Sequence, residues 1–232
     1  MPLDFEDRAS DSLYIDRLWR CRSTDIDEMT SIATAHWTLV RWESAGAVGV
    51  AVQGPETRAT RAPVPPDGSF VGIRFALGVA LSGLPVGRLV DGYLELGDAS
   101  RRSVWLKGSH WPLFDYGSAE DFVAALVAAG VLTRDPFVAR GLAGQSMDLS
   151  AHTVRRRFQR STGLTAQTIG RIERSRHAAW LVRHQRPLAE VTHELGYYDH
   201  PHLARSLTRF IGHPASWLRT SPPGQLSFLY KP

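Results

Sequence analysis

Through residue 115 the apolar positions recur with a period of two. Ala33, Ala35, Trp37 and Leu39 alternate with polar neighbours, Val48, Val50 and Val52 alternate with small residues, and Val71, Ile73, Phe75 and Leu77 repeat the pattern. Such alternation marks half-buried strands. Turn-forming residues separate the runs at Gly54-Pro55, from Pro63 to Gly68, and from Gly83 to Pro85. Short strands punctuated in this way predict a small sandwich or barrel. The stretch from Gly78 to Asp91 has room for a short helix.

From Ser118 the period changes to that of a helix. Ser118 is placed to cap a helix running through Phe122, Leu126 and Val127 to Ala129, closed by Gly130. Asp135-Pro136 opens a short helix ending near Gly144. Ser150, Thr165 and Asp199 are further N-cap candidates, and Pro187 and Pro214 stand at helix starts. Pro222-Pro223-Gly224 marks an irregular tail. The expected fold class is therefore α+β: a β-rich unit over 1–117, an all-α unit over 118–220, and a tail over 221–232.

A duplication lies inside the helical part. Residues 150–163 and 199–212 match at an offset of 49. Ser150 pairs with Asp199, Val154 and Phe158 with Leu203 and Leu207, Arg156 and Arg160 with Arg205 and Arg209, and Gly163 with Gly212. Two copies suggest a duplicated module, whereas an array would show more. On a helical projection Ala151, Val154 and Phe158 share one face, while His152, Arg155, Arg156 and Gln159 face away with Arg160 beside them. In the second copy Leu203, Leu207, Phe210 and Ile211 point inward. Pro201, His202, Arg205, Thr208 and Arg209 point out. Each copy follows a shorter helical segment, Phe137–Ala143 or Leu188–Leu195, which is the layout of a helix-turn-helix whose second helix enters the major groove. The connector over 165–185 carries Ile169, Ile172, Ala179 and Trp180 on one stripe and is apolar all round from Ala178 to Val182. It therefore predicts a helix buried between two subdomains.

Charge sharpens this picture. The net charge of +4 divides into 14 Lys/Arg against 18 Asp/Glu over residues 1–145 and 13 against 5 over 146–232. The basic part is almost wholly Arg, whose planar fork suits phosphates and guanine edges. Cys21 is the only cysteine, so an internal disulfide and a Cys-based zinc site are excluded. The acidic N-terminus lacks the apolar core of a signal peptide, and no apolar run is long enough to span a bilayer. A cytoplasmic, nucleoid-associated protein without cofactor or metal is expected.

The segments LSAHTVRRRFQRSTGLT (149–165) and AEVTHELGYYDHPHLARSLTRFIGHPASW (189–217) resemble the AraC/XylS family of bacterial transcription regulators. The resemblance covers roughly residues 118–219. It implies about seven helices, two helix-turn-helix units, and recognition helices in successive major grooves of double-stranded DNA. By position it assigns His152, Arg155 and Arg156 to the bases in the first unit, and His200, His202 and Arg205, with Pro201 nearby, in the second. The turn from Gly144 to Leu149 is longer than the family's, and Pro201 and Ala204 remove polar side chains from the second helix. Both departures favour the first unit as main reader. HWTLV (36–40), GPETRAT (54–60) and GIRFALG (72–78) resemble the small, cupin-like sensor domains of a subgroup. That implies a small-molecule effector, a homodimer, or both, and RNA polymerase as partner if the protein is an activator.

Within these expectations Arg156 and Arg205 are the candidates for bidentate guanine contacts. Arg160 and Arg209 are candidates for phosphate, and His152 and His202 are placed to read bases or fill the groove. Ser150, Thr165 and Asp199 serve as caps, whose exposed helix N-termini also suit phosphate. Trp37, Trp42, Trp105 and Trp111 read first as core packing and second as a ligand pocket in which Arg74 or His36 binds an anion. His36 and His110 lack partners for a metal, and Cys21 reads as an inert buried thiol. Two other functions remain to be weighed. An architectural DNA-bending protein would bind all duplexes alike, and a DNA-repair alkyl acceptor needs a cysteine cluster that a lone Cys21 does not provide. No hydrolase motif is present, so an enzyme is not expected.

Overall fold

Strand pairing in the first half follows the period-two runs. The computed structural model describes residues 3–24, 28–142, 145 and 150–221. β1 (Leu3–Arg8), β2 (Ile15–Ser23), β4 (Thr38–Ser44), β5 (Ala47–Gln53), β7 (Ser69–Phe75) and β9 (Tyr93–Leu96) form one antiparallel sheet in the order β1-β2-β7-β4-β5-β9. Three two-stranded ribbons flank it: β3 (Glu28–Ser31) with β6 (Thr60–Pro63), β8 (Val79–Leu81) with β12 (Leu132–Arg134), and β10 (Ser103–Leu106) with β11 (Ser109–Pro112). The short helix expected within 78–91 is a 3-10 turn, Val86–Leu89. Because strand side chains alternate, Leu18, Ile73, Leu39, Val50 and Val52 bury one face of the large sheet in the first core.

α1 (Ala119–Ala128) covers that core with Phe122, Val123 and Leu126. Ser118, expected to cap α1, makes no side-chain cap bond. Asp115 instead accepts from the backbone N–H groups of Gly117 and Ser118 and from the Ser118 hydroxyl at 2.8–2.9 Å. The expected boundary at 117/118 assigns α1 to the helical unit, yet its buried side chains meet the sheet. Apolar periodicity shows that a helix has an inner face but not which core that face joins.

The helical part comprises α2 (Pro136–Leu142), α3 (Ala151–Thr162), α4 (Ala166–Arg183), α5 (Leu188–Glu194), α6 (His200–Ile211) and α7 (Ala215–Thr220). The long turn read at 144–149 lies outside the described residues apart from Gln145, as do the Ala151 side chain and the tail at 222–232. Phe137, Val138, Phe158, Ile169, Ile172, Val191, Leu203, Leu207 and Ile211 share the second core, with α4 buried on several faces as its sequence requires.

The run from Ala33 to Trp37, expected as a strand, is irregular and joins the cores. Ile32, Ala33 and Ala35 pack in the second, Trp37 in the first. The change of core falls between Ala35 and Trp37, and the backbone is bonded on both sides of it, the Trp37 carbonyl accepting from the Phe75 N–H of β7 at 3.1 Å. Thr34 bridges Glu56, and the Ala33 N–H donates to the Phe210 carbonyl at 2.8 Å.

Candidate nucleic-acid interface

α3 and α6 are built alike. Ser150 accepts from the Thr153 N–H at 3.2 Å and Asp199 from the His202 N–H at 2.7 Å, so each helix starts on a side-chain cap. Each ends on a glycine in the left-handed region, Gly163 at φ 77° and Gly212 at φ 85°, a conformation in which an added Cβ is strained. The Thr165 hydroxyl accepts from the Thr168 N–H at 3.1 Å, which makes Thr165 a half-buried cap of α4.

His152, Arg155, Arg156, Gln159 and Arg160 are exposed on α3, and His200, Pro201, Arg205, Thr208 and Arg209 on α6. His202 is the exception on the outer face. It is half-buried, its ring meets Tyr197 edge-on at 5.2 Å, and its Nδ1 accepts from the Tyr198 N–H at 3.4 Å. Tyr197, at the turn before the helix, takes up one side of the imidazole.

The arginines fall into two groups. In the first half Arg8 pairs with Glu120, Arg17 with Asp7, Arg20 with Glu6, Arg61 with Glu28 and Arg74 with Asp16. Among the described residues no ion pair or hydrogen bond engages the guanidinium of Arg155, Arg156, Arg160, Arg205 or Arg209; that of Arg209 only lies over the Phe210 ring at 5.3 Å. Exposed cations held in no ion pair remain hydrated and able to exchange counterions for phosphates.

Arg157, between two of these arginines, does the opposite. Its Nε and Nη2 donate to Asp135 at 3.0 Å each, and its guanidinium lies 4.4 Å from the Phe137 ring centre. Asp135 also accepts from the Ser161 hydroxyl and the Phe137 N–H. Burial opposes ionisation of Asp135, but the bonds from Arg157, Phe137 and Ser161, with the charge of Arg157, outweigh it and hold the carboxyl below the usual range. A depressed carboxyl contributes stability above its unfolded pKa of about 4 and loses it as pH falls through the folded value. Wild-type protein should therefore lose stability more steeply than Asp135→Asn on acidification below about pH 4, as urea unfolding at stepped pH would measure. Equal pH slopes would show that the bridge contributes nothing.

α6 is attached to the β-rich half through its last turn. A helix C-terminus leaves carbonyls without intrahelical donors. In α6 the Phe210 and Arg209 carbonyls accept from the N–H groups of Ala33 and Ala59, at 2.8 and 2.9 Å. Arg176 of α4 donates to the Ala33 carbonyl at 2.9 Å, and Thr30 Oγ1 hydrogen-bonds His213 Nε2 at 3.0 Å. The last turn of α3 also meets this half: a Cβ on Gly163 would lie 2.9 Å from Gly87 Cα and from Val90 Cγ2.

The residues expected to form a ligand pocket do not converge on one. His36 is buried, its Nδ1 2.7 Å from the Phe75 carbonyl, and burial followed by the charge of Arg74 lowers its pKa. Trp37 stacks on Phe75 at 3.9 Å and donates to the Val79 carbonyl. Arg74 is held by Asp16, Trp111 donates to the Leu106 carbonyl at 3.0 Å, and Trp105 lies exposed on a ribbon against His110. Only Trp42 lines the large apolar cavity of this half, alongside Trp19 and Glu56. Glycines inside strands, at Gly49 and Gly72, were the available signal for that cavity, since they mark close approach. Burial, then the charge of Asp4, pushes the Cys21 thiol up to about 12, so it is not a thiolate near neutral pH.

Among the described residues there is no group of three or more His, Cys, Asp or Glu suited to a metal, and no helix is long and apolar enough to cross a membrane. Residues 144–221 match the family model described as "Helix-turn-helix domain". No curated protein and no solved structure matches the chain.

Proposed function

From a chain whose residues 144–221 are a helix-turn-helix domain of the AraC type, that of a DNA-binding transcription regulator, we propose that α3 and α6 read two successive major grooves while the β-rich half controls their occupancy. Arg156 and Arg205 are the base readers, where the guanidinium fork matches O6 and N7 of guanine. Arg155 faces the bases beside Arg156, while Arg160 and Arg209, with the N-termini behind Ser150 and Asp199, hold phosphates and so set register without sequence information. His152, Gln159, His200, Pro201 and Thr208 complete the contact faces, and His202 acts from the edge of the second. The observation that carries this reading is the matched pair of capped helices, each bearing exposed arginines with no acidic partner at equivalent positions.

Control through the β-rich half is supported by the backbone bonds from Ala33 and Ala59 to α6. A division at Asp135, instead of 117/118, leaves α1 with the core it covers. An effector, a second copy of the chain, and RNA polymerase are the proposed partners.

Selection of bound sequences from a random duplex pool, at near-physiological salt and with the full chain, tests this function. The expected outcome is a two-part site with half-site centres about 10 bp apart. Uniform affinity for all duplexes, falling steeply with salt, would instead identify an architectural protein. Absence of binding at low salt would end the proposal.

A further inference from the structure

The second face of the large sheet is not part of the first core. Trp19, Phe70, Val40, Trp42 and Ala51 lie on it, and the β3–β6 ribbon stands over it. Between them is a cavity of about 480 Å³, within the range of small-molecule sites. Two indoles make its floor. Trp19 sits opposite Gly72 and Trp42 opposite Gly49 on neighbouring strands. A Cβ at Gly72 would lie 2.0 Å from the Trp19 ring, and one at Gly49 2.3 Å from that of Trp42. The rings thus cover bare backbone, and the floor they form is aromatic.

Two carboxylates, Glu56 and Asp91, and one cation, Arg61, line the cavity beside the neutral polar groups of Ser31, Gln53, Thr60 and Tyr93. Glu56 accepts from the Ser31 hydroxyl at 2.7 Å and from the Thr60 hydroxyl at 3.4 Å. Asp91, at the rim, accepts from the N–H and the hydroxyl of Thr57, at 2.6 Å each. The cation at the rim, Arg61, is paired with Glu28 at 3.0 Å. Burial raises the pKa of Glu56; the Ser31 and Thr60 bonds act against that, Asp91 reinforces it, and the charge of Arg176 opposes it. The aromatic faces and the half-buried Glu56 carboxylate attract the same kind of guest, because both present negative potential to a cation.

We propose that this cavity binds an organic cation with an aromatic or hydrocarbon body, its charge on Glu56 and its body on the indole floor, and that the occupant acts on α6 through the β3–β6 ribbon. The ribbon is shared between the two sites. Ser31 and Thr60, which donate to Glu56, adjoin Thr30 and Ala59, which meet α6 and its flank: a Cβ on Gly212 would lie 3.0 Å from Thr30 Cγ2 and 3.1 Å from Ala59 Cβ. A guest that pulls on Glu56 therefore shifts the segment that supplies N–H groups to the last turn of α6. The coupling rests on the DNA-binding reading above; the site itself does not.

Calorimetric titration of the full chain with 2-phenylethylammonium, 2-phenylethanol and phenylacetate separates charge from shape. The ammonium is expected to bind at least about tenfold tighter than the alcohol, with no heat from phenylacetate, and Glu56→Gln should bring the ammonium down to the level of the alcohol. Equal binding of the alcohol or the anion, no binding of any of the three, or an unchanged preference in Glu56→Gln would overturn the site. In a second arm, saturating ammonium should change the Kd for the selected duplex by about fivefold or more. An unchanged Kd would overturn the coupling. A protein that takes the ammonium but binds no duplex would refute the DNA reading and leave the cation site standing.

Discussion

Replacing Arg156 and Arg205 together by alanine is expected to weaken binding to the selected duplex by about 2–6 kcal/mol, and each alone by about 1–3 kcal/mol. The two side chains belong to different helices and share no partner among the described residues, so their effects should add. Each single variant should also relax preference at one base pair, one in each half-site. Neither should lower the thermal midpoint, because an exposed arginine without an ion pair contributes little to folding. Arg157→Ala supplies the contrast: it breaks the bridge to Asp135 and should lower stability more than base preference. Fluorescence anisotropy on a panel of single-base duplex variants, beside thermal melts, reads all of this. Unchanged affinity in both single variants would mean that the register assigned to the reading faces is wrong.

Phe158→Ala should destabilise the protein by about 3–5 kcal/mol, the cost of emptying a fully buried aromatic site. Phe158 is 1% exposed and meets Phe137 at 5.9 Å. α3 and α6 are anchored unequally. α6 buries Leu203, Leu207, Phe210 and Ile211, whereas the apolar anchorage of α3 among the described side chains is Phe158, with Val154 half-buried. Much of the loss should therefore appear locally, as faster amide exchange along α3 than along α6. DNA affinity should fall with it, since a frayed helix must be reordered on binding. Hydrogen exchange resolved by segment, with chemical denaturation for the total, measures both. Equal acceleration in α3 and α6 would contradict the unequal anchorage.

The duplicated helices were legible because each of their features is local. A cap bonds a residue three positions away, as Ser150 does with Thr153 and Asp199 with His202. A glycine ends the helix by its own φ, and the apolar stripe recurs every three or four residues. The exposure of His152, Arg155, Arg156, Gln159, Arg160 and Arg205 followed from the same projection. His202 departed from it because Tyr197, in the turn before the helix, occupies the space beside its ring. Arg157 stands between exposed arginines in the sequence, yet an aspartate 22 positions earlier holds it.

The ligand-pocket candidates fared differently because aromatic residues satisfy several environments at once. Trp37 and Trp42 are close in sequence and both lie at the large sheet, yet one is buried in the first core and the other lines the cavity on the opposite face. Which face an indole joins depends on strand register and on what stands opposite, here Gly49 beside Trp42.

Amino-acid order alone determined most of the element types, the ends of α3 and α6, the repeat at 49 residues and the basic character of the helical part. All of these are sums over near neighbours or over composition. Folding in three dimensions decided what lies against what: α1 against the sheet, the 32–37 segment shared between two cores, the last turn of α6 on Ala33 and Ala59, and the indole-floored cavity that holds Glu56 beneath the same ribbon. An apolar stripe specifies that burial will occur, but the surface that buries it is set by distant segments whose pairing no local pattern encodes.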